Sequence, residues 1–117
     1  MNDNIIQRKS YDFALEIVNV CRTLIHEQSE YVLGKQLLRS GTSIGANVEE
    51  ALGAQSKKDF IGKISIAYKE ARETSYWINI MKDTSIMNEK NAMGLLDKCM
   101  ELRKILAKIQ KTSSYNL

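Results

Sequence analysis

No proline interrupts the 117 residues of this chain. Proline is the strongest helix breaker, because it removes a backbone donor and its ring clashes with the preceding turn. Without it, helices stop only at capping residues, at glycines or where the apolar pattern fails. That pattern repeats at spacings of three and four along the chain, and no segment alternates with period two. The expected fold class is therefore all-α, with no sheet.

Four helices can be delimited, at about residues 10–26, 31–53, 57–82 and 89–111. Ser10 is read as the N-cap of the first, since a serine hydroxyl accepts a bond from a free first-turn amide. Phe13, Ile17, Val20, Cys21, Leu24 and Ile25 then recur at helical spacing until the polar stretch 26–30. The second carries Leu33, Leu37, Gly41, Ile44, Val48 and Ala51. Its middle, SGTSIGAN, holds two glycines that each cost about 1 kcal/mol relative to alanine in a helix. Either a loop splits two short helices here, or one helix continues and its glycines admit a neighbouring backbone. The stripe keeps its phase across both glycines, which favours continuity.

Gly53 supplies a C-cap, and Ser56 with Asp59 resembles a capping box. The third helix shows Phe60, Ile64, Ala67, Ala71, Thr74, Ile78 and Met81 in heptad spacing. Residues 82–87 form a turn, and Asn88 caps a fourth helix bearing Leu95, Cys99, Leu102, Leu106 and Ile109. The tail KTSSYNL is expected to fray. Connections of about three to six residues make successive helices antiparallel. The expectation is one domain, residues 1–117, folded as an up-down-up-down four-helix bundle.

The third helix has more apolar surface than one core needs. Ile66, Trp77 and Ile80 fall almost opposite the core stripe centred near Ile64 and Ala71. An outward tryptophan with two isoleucines suggests a subunit contact; alternatively the fourth helix or the N-terminal segment folds over it. Polar residues also form a row. Arg39, Ser43, Asn47 and Glu50 border the core stripe of helix two, and Lys63 and Glu70 occupy the matching border of helix three. A hairpin turning near Ala54 brings Asn47 opposite Lys63 and Arg39 opposite Glu70. The row is either a solvated flank or a half-buried network that sets register. Glu70 and Glu73 share a face with Lys63, Lys69 and Arg72 nearby, and read as ion-pair partners.

Charge divides unevenly. Residues 1–53 hold five basic and seven acidic side chains, whereas residues 82–117 hold seven basic and four acidic ones. On helix four, Lys104, Lys108 and Lys111 line one side, with Lys98 and Arg103 nearby and Glu101 opposing them. The reading is a phosphate-binding stripe for RNA or DNA, and no aromatic interleaves it for base stacking. A lysine-rich last turn also complements the helix dipole. A structural scaffold or protein-interaction adaptor with no nucleic-acid role is the other reading.

Catalytic and metal chemistry find little support. The single histidine, His26, ends helix one, so the Glu-x-x-His pairs of a bundle metal site are missing. Nucleophile motifs and phosphate loops are absent. No metal, cofactor or small-molecule substrate is expected. Cys21 and Cys99 sit on apolar stripes and read as buried thiols, with a disulfide or redox pair as the alternative. The apolar runs are too short for a bilayer and the N-terminus lacks a secretory apolar stretch, so no membrane association and a cytoplasmic location are expected.

Two runs carry a resemblance: R-S-x-x-S-I-x-A-N-x-x-E over residues 39–50, and A-x-K-E-A-R-E-T-x-Y-W over residues 67–77. The chain resembles, over residues 10–106, the bacterial family encoded by intervening sequences in 23S rRNA genes, also called the four-helix-bundle or S23 ribosomal protein family. That resemblance implies an antiparallel four-helix bundle assembled as a ring-like homopentamer. A more distant similarity links the family to the accessory protein of diversity-generating retroelements, itself a pentameric bundle associated with nucleic acid. Where the family often has Ile-Ala-Glu after the asparagine, this chain has Val48, Glu49 and Glu50. The extra acid at Glu49 weakens helix two as a nucleic-acid surface. The family name records gene location and does not imply ribosome binding.

Overall fold

Residues 4–115 are described here, from a computed structural model of the chain. Four helices follow one another: α1 Ile5–Arg22, α2 Tyr31–Leu52, α3 Lys57–Asp83 and α4 Glu89–Tyr115. A single wide π turn, Thr23–Glu27, prolongs α1. At 1.5 Å per residue, a 27-residue helix is about 40 Å long, which accounts for most of the 46 Å long axis. Each helix packs on the next, and α1 closes the bundle against α4 through the thinnest of these contacts. The architecture is the antiparallel four-helix bundle that the spacing predicts.

Helix α1 begins earlier than its sequence pattern suggests. Asn4 is the cap, its side chain accepting from Gln7 N at 3.0 Å. Ile6 is buried, so the first turn gains core contact that a start at Ser10 would forfeit. Ser10 is no cap but a buried mid-helix residue, donating to Gln7 O at 3.2 Å. Here the α1 backbone comes close to α2: a Cβ on Gly45 would lie only 3.3 Å from Ser10 O. Helix α2 is continuous through both glycines, because they let α1 approach.

The other caps follow the sequence. Gly53 ends α2, but at φ −96° it makes no use of glycine's left-handed freedom. Ser56 Oγ accepts from Asp59 N at 3.0 Å, and Asn88 Oδ1 accepts from Asn91 N at 2.8 Å. Two serines take the left-handed backbone that the remaining turns require, Ser29 at φ 58° and Ser85 at φ 63°. At the C-terminal end, α4 runs to Tyr115 where fraying was expected from residue 111. Gln110 donates to Ser65 Oγ of α3 at 2.6 Å and ties this end down. Asn116 and Leu117 lie outside the described residues.

Inside, α3 offers small side chains to its neighbours: Ala67, Ala71, Thr74 and Ser75 are all buried. Thr74 Oγ1 lies 3.0 Å from Ser40 Oγ across the α2–α3 seam and donates to Glu70 O at 2.8 Å. Cys99 Sγ accepts from Ser75 Oγ at 3.3 Å and lies 3.2 Å from Ala71 O. Both cysteines are free and buried. The α1–α4 seam differs in character, held by the ion pairs Lys9–Glu101 at 3.0 Å and Lys98–Glu16 at 2.6 Å. Beneath them runs a groove of about 240 Å³, with Phe13 and Leu102 among its lining residues.

Candidate nucleic-acid interface

The basic residues of α4 separate into three directions. At about 100° per residue, Lys104, Lys108 and Lys111 fall within about 60° of one another on the side away from Leu102 and Leu106. All three are exposed. Lys98 lies off this row toward α1 and is taken up by Glu16. Arg103 lies off it on the other side, half-buried toward α3. The stripe read from sequence is thus a row of three lysines flanked by two cations with other neighbours.

Arg103 acts with Arg72, read from sequence as a neighbour of Glu70 and Glu73, on Tyr68, which the sequence did not single out; the two glutamates pair with Arg39 instead. Hydrogen bonding from Arg72 and then from Arg103 holds the Tyr68 phenol below its usual range, their charges adding to the effect against a desolvation that opposes it. Arg103 also faces inward, where its charge acts on the Cys99 thiol; burial nonetheless pushes that thiol up. Its Nε is buried without a hydrogen-bond partner. Arg72 lies four residues after Tyr68, one helical turn, but no sequence signal relates either to Arg103. That neighbourhood follows from the rotation of α4 against α3.

The polar row of α2 and α3 crosses the seam at two places. Arg39 Nη1 bonds Glu70 Oε1 at 3.2 Å, and Nη2 bonds Glu73 Oε2. Trp77 Nε1 donates to the same Glu73 oxygen at 2.9 Å. Lys63 pairs with Glu50 at 2.8 Å, and this contact raises the Lys63 ammonium above its usual range. Asn47 does not meet Lys63. Its amide donates to Ser43 O at 2.8 Å, and Ser43 Oγ donates to Arg39 O at 2.6 Å, so both bond back along their own helix. The short side chains reach a carbonyl one turn earlier, whereas the long lysine spans to the next helix.

The second face of α3 is partly covered by the chain itself. Trp77 is half-buried against the core and stacks edge-on with Tyr76, ring centroids 5.2 Å apart. Ile80 is half-buried, while Ile66 stays 41% exposed. Tyr76, 60% exposed, belongs to this face and was missed; its wheel position beside Ile80 was the available signal. Tyr11 on α1 and Tyr31 on α2 are also exposed, but no aromatic occurs between Lys98 and Lys111.

Among the described residues, no three of His, Cys, Asp and Glu gather as metal ligands. No helix among them is long and apolar enough to cross a membrane.

Comparison with known proteins fits this architecture. A search of the curated proteins finds no match. Among solved structures, the chain is similar to a protein of unknown function from the S23 ribosomal protein family of Bacteroides thetaiotaomicron VPI-5482. The two share 45% identity with a TM-score of 0.90, covering 92% of this chain and 99% of that one. The family profile of the 23S rRNA-intervening sequence protein matches residues 2–108. Together with the bundle and the 39–50 and 67–77 runs, this match shows that the chain belongs to the 23S rRNA-intervening sequence protein family.

Proposed function

We propose that this protein is a non-enzymatic, cytoplasmic homo-oligomer, a pentamer by family resemblance, that binds nucleic acid through phosphate contacts. The observation that carries the reading is the row Lys104, Lys108 and Lys111, exposed on one side of α4 and in no ion pair among the described residues. Three ammonium groups on one helix face neutralise few phosphates alone. Repeated around a ring, they sum into a surface able to displace several condensed counterions. The absence of aromatics in the row favours backbone contact over base reading.

Affinity for RNA or DNA then falls steeply with salt and varies little with sequence. Replacing Lys104, Lys108 and Lys111 by glutamine weakens binding to all sequences alike and flattens the salt slope. The helix survives, because lysine and glutamine have similar helix propensities. Fluorescence anisotropy across a salt series measures both effects, and an unchanged slope in the triple variant places the contact elsewhere. The scaffold or adaptor reading draws on a different feature, the exposed Ile66 and Tyr76. Co-purification of one protein partner that resists nuclease treatment, without binding of RNA or DNA at low salt, favours it.

A further inference from the structure

We propose that Tyr76 is a base-stacking platform beside the lysine row, so that the nucleic acid taken by this surface is a single strand and not a duplex. The proposal rests on the reading of α4 as a phosphate-binding surface and adds to it the class of ligand.

In the sequence Tyr76 and the row belong to different helices, and packing brings them to one face. Two hydrogen bonds across the α3–α4 seam fix the register: Ser75 Oγ donates to Cys99 Sγ at 3.3 Å, and Gln110 Nε2 donates to Ser65 Oγ at 2.6 Å. In this antiparallel pair Tyr76 stands level with Cys99, about 8 Å along the seam from Lys104 at 1.5 Å per residue. Lys69 falls level with the turn that holds Lys104. Direction follows from the helical period. Tyr76 lies about 100° past Ser75 on α3, and Met100 lies about 100° past Cys99 on α4. Because the two helices run in opposite directions, both steps swing from the seam to the same outer side. Lys104 and Lys111 lie within about 40° of Met100, and Lys69 within about 20° of Tyr76. All five are exposed, and no ion pair takes Lys69, Lys104 or Lys111 among the described residues. Cations from two helices thus lead to one exposed ring.

The ring is braced for this use. Trp77 meets it edge-on, with centroids 5.2 Å and planes 70° apart, and Trp77 is itself held by its bond to Glu73 at 2.9 Å. Tyr76 remains 60% exposed, so a positioned aromatic surface is open to a flat partner at little cost in ordering. A subunit contact through Ile66 leaves it open, because Ile66 lies about 80° away around α3. In a duplex every base is already stacked inside the double helix, and only phosphates reach such a surface. A single strand offers each base as a π-face while its backbone follows the cations. Stacking is tolerant of sequence, so the ring discriminates strand from duplex without reading bases.

The test follows the full chain by fluorescence anisotropy with two probes, a labelled unstructured single-stranded RNA and the duplex it forms with its complement. Wild type is expected to bind the single strand more tightly at equal salt. Tyr76→Ala is expected to weaken single-strand binding about tenfold or more, the range that alanine substitution gives for one stacked base, and to leave duplex binding unchanged. Its salt slope stays at the wild-type value because no charge is removed, whereas glutamine at the three lysines flattens the slope. Tyr76→Phe keeps the ring and is expected to retain most of the affinity. A duplex bound as tightly as the single strand, or an equal loss on both probes in Tyr76→Ala, overturns the platform. Single-strand affinity unchanged in Tyr76→Ala also overturns it and leaves the lysine-row reading intact. Light scattering on the same variant separates a role in assembly: a mass below that of wild type assigns Tyr76 to the subunit contact and overturns the platform. No binding of either probe at low salt overturns the phosphate-binding reading together with this one.

Discussion

A methyl group on Gly41 would lie 2.8 Å from Ile17 Cγ2 and 2.9 Å from Cγ1. Ile17 is fully buried, so its branched side chain has little room to yield. Gly41→Ala is expected to destabilise the bundle by about 1–3 kcal/mol through overpacking. At Gly94, where a Cβ meets nothing within 4 Å, the same change is expected to stabilise by about 0.4–1 kcal/mol. Urea midpoints of the two variants should move in opposite directions. The cysteines give a second residue-scale expectation. Burial pushes the Cys21 thiol up to about 12, so native Cys21 holds little thiolate at pH 8 and reacts slowly with a disulfide reagent. Denaturant should speed that reaction. Because the folded value is raised, this group's contribution is fully present below pH 9 and is lost as pH rises toward 12. A fast native reaction at Cys21 would show that the thiol is not buried.

Among the elements, the α2–α3 pair is the most extensively joined, and its outer edge is fastened by Arg39. The sequence anticipated the Arg39–Glu70 contact, and the structure adds Glu73 to it. Arg39 is 47% exposed in its side chain, however, so the cost of a fully buried pair does not apply. Arg39→Ala is expected to cost about 1 kcal/mol, the upper range for a half-exposed pair, and exposed Lys35→Ala almost nothing. Equal melting temperatures for the two variants would reduce the pair to a solvated contact. High salt should narrow the difference, since the carboxylates remain within reach of screening ions. Helix ends belong to this scale too. Asn4 displaces Ser10 as the cap of α1 because burial of Ile6 supports an additional turn.

At the scale of the molecule, the unfinished surface is the outward side of α3. Ile66 and Tyr76 stay exposed there, with Trp77 and Ile80 half-covered by the chain itself. Apolar side chains grouped on one helix face commonly mark an interaction site, and the proposed ring places a second copy on it. Light scattering is expected to return about five times the 13.3 kDa of one chain. Ile66→Lys should lower that mass, because a charge at a buried contact must be desolvated without a partner. A mass of one chain at high concentration would remove the ring, and with it the summed basic surface on which phosphate binding depends.

The helix count, the stripe from Phe13 to Leu24, the cap at Ser56 and the Arg39–Glu70 contact were legible before any coordinates, because each depends on spacing within a helix or across one short turn, whereas Lys63 meets Glu50 and not the expected Asn47. Helical period and local hydrogen bonding are properties of neighbouring residues, and the sequence alone determines them. Rotation of one helix against another is not local. It emerges from how whole faces pack, and it decided that Lys98 meets Glu16 while Arg103 turns toward Tyr68 and Arg72. A one-residue change in position turns a side chain by about 100°, so three neighbouring basic residues on α4 acquired three different surroundings. The same packing made Ser10 a point of close approach to Gly45, a role that its cap-like chemistry does not announce.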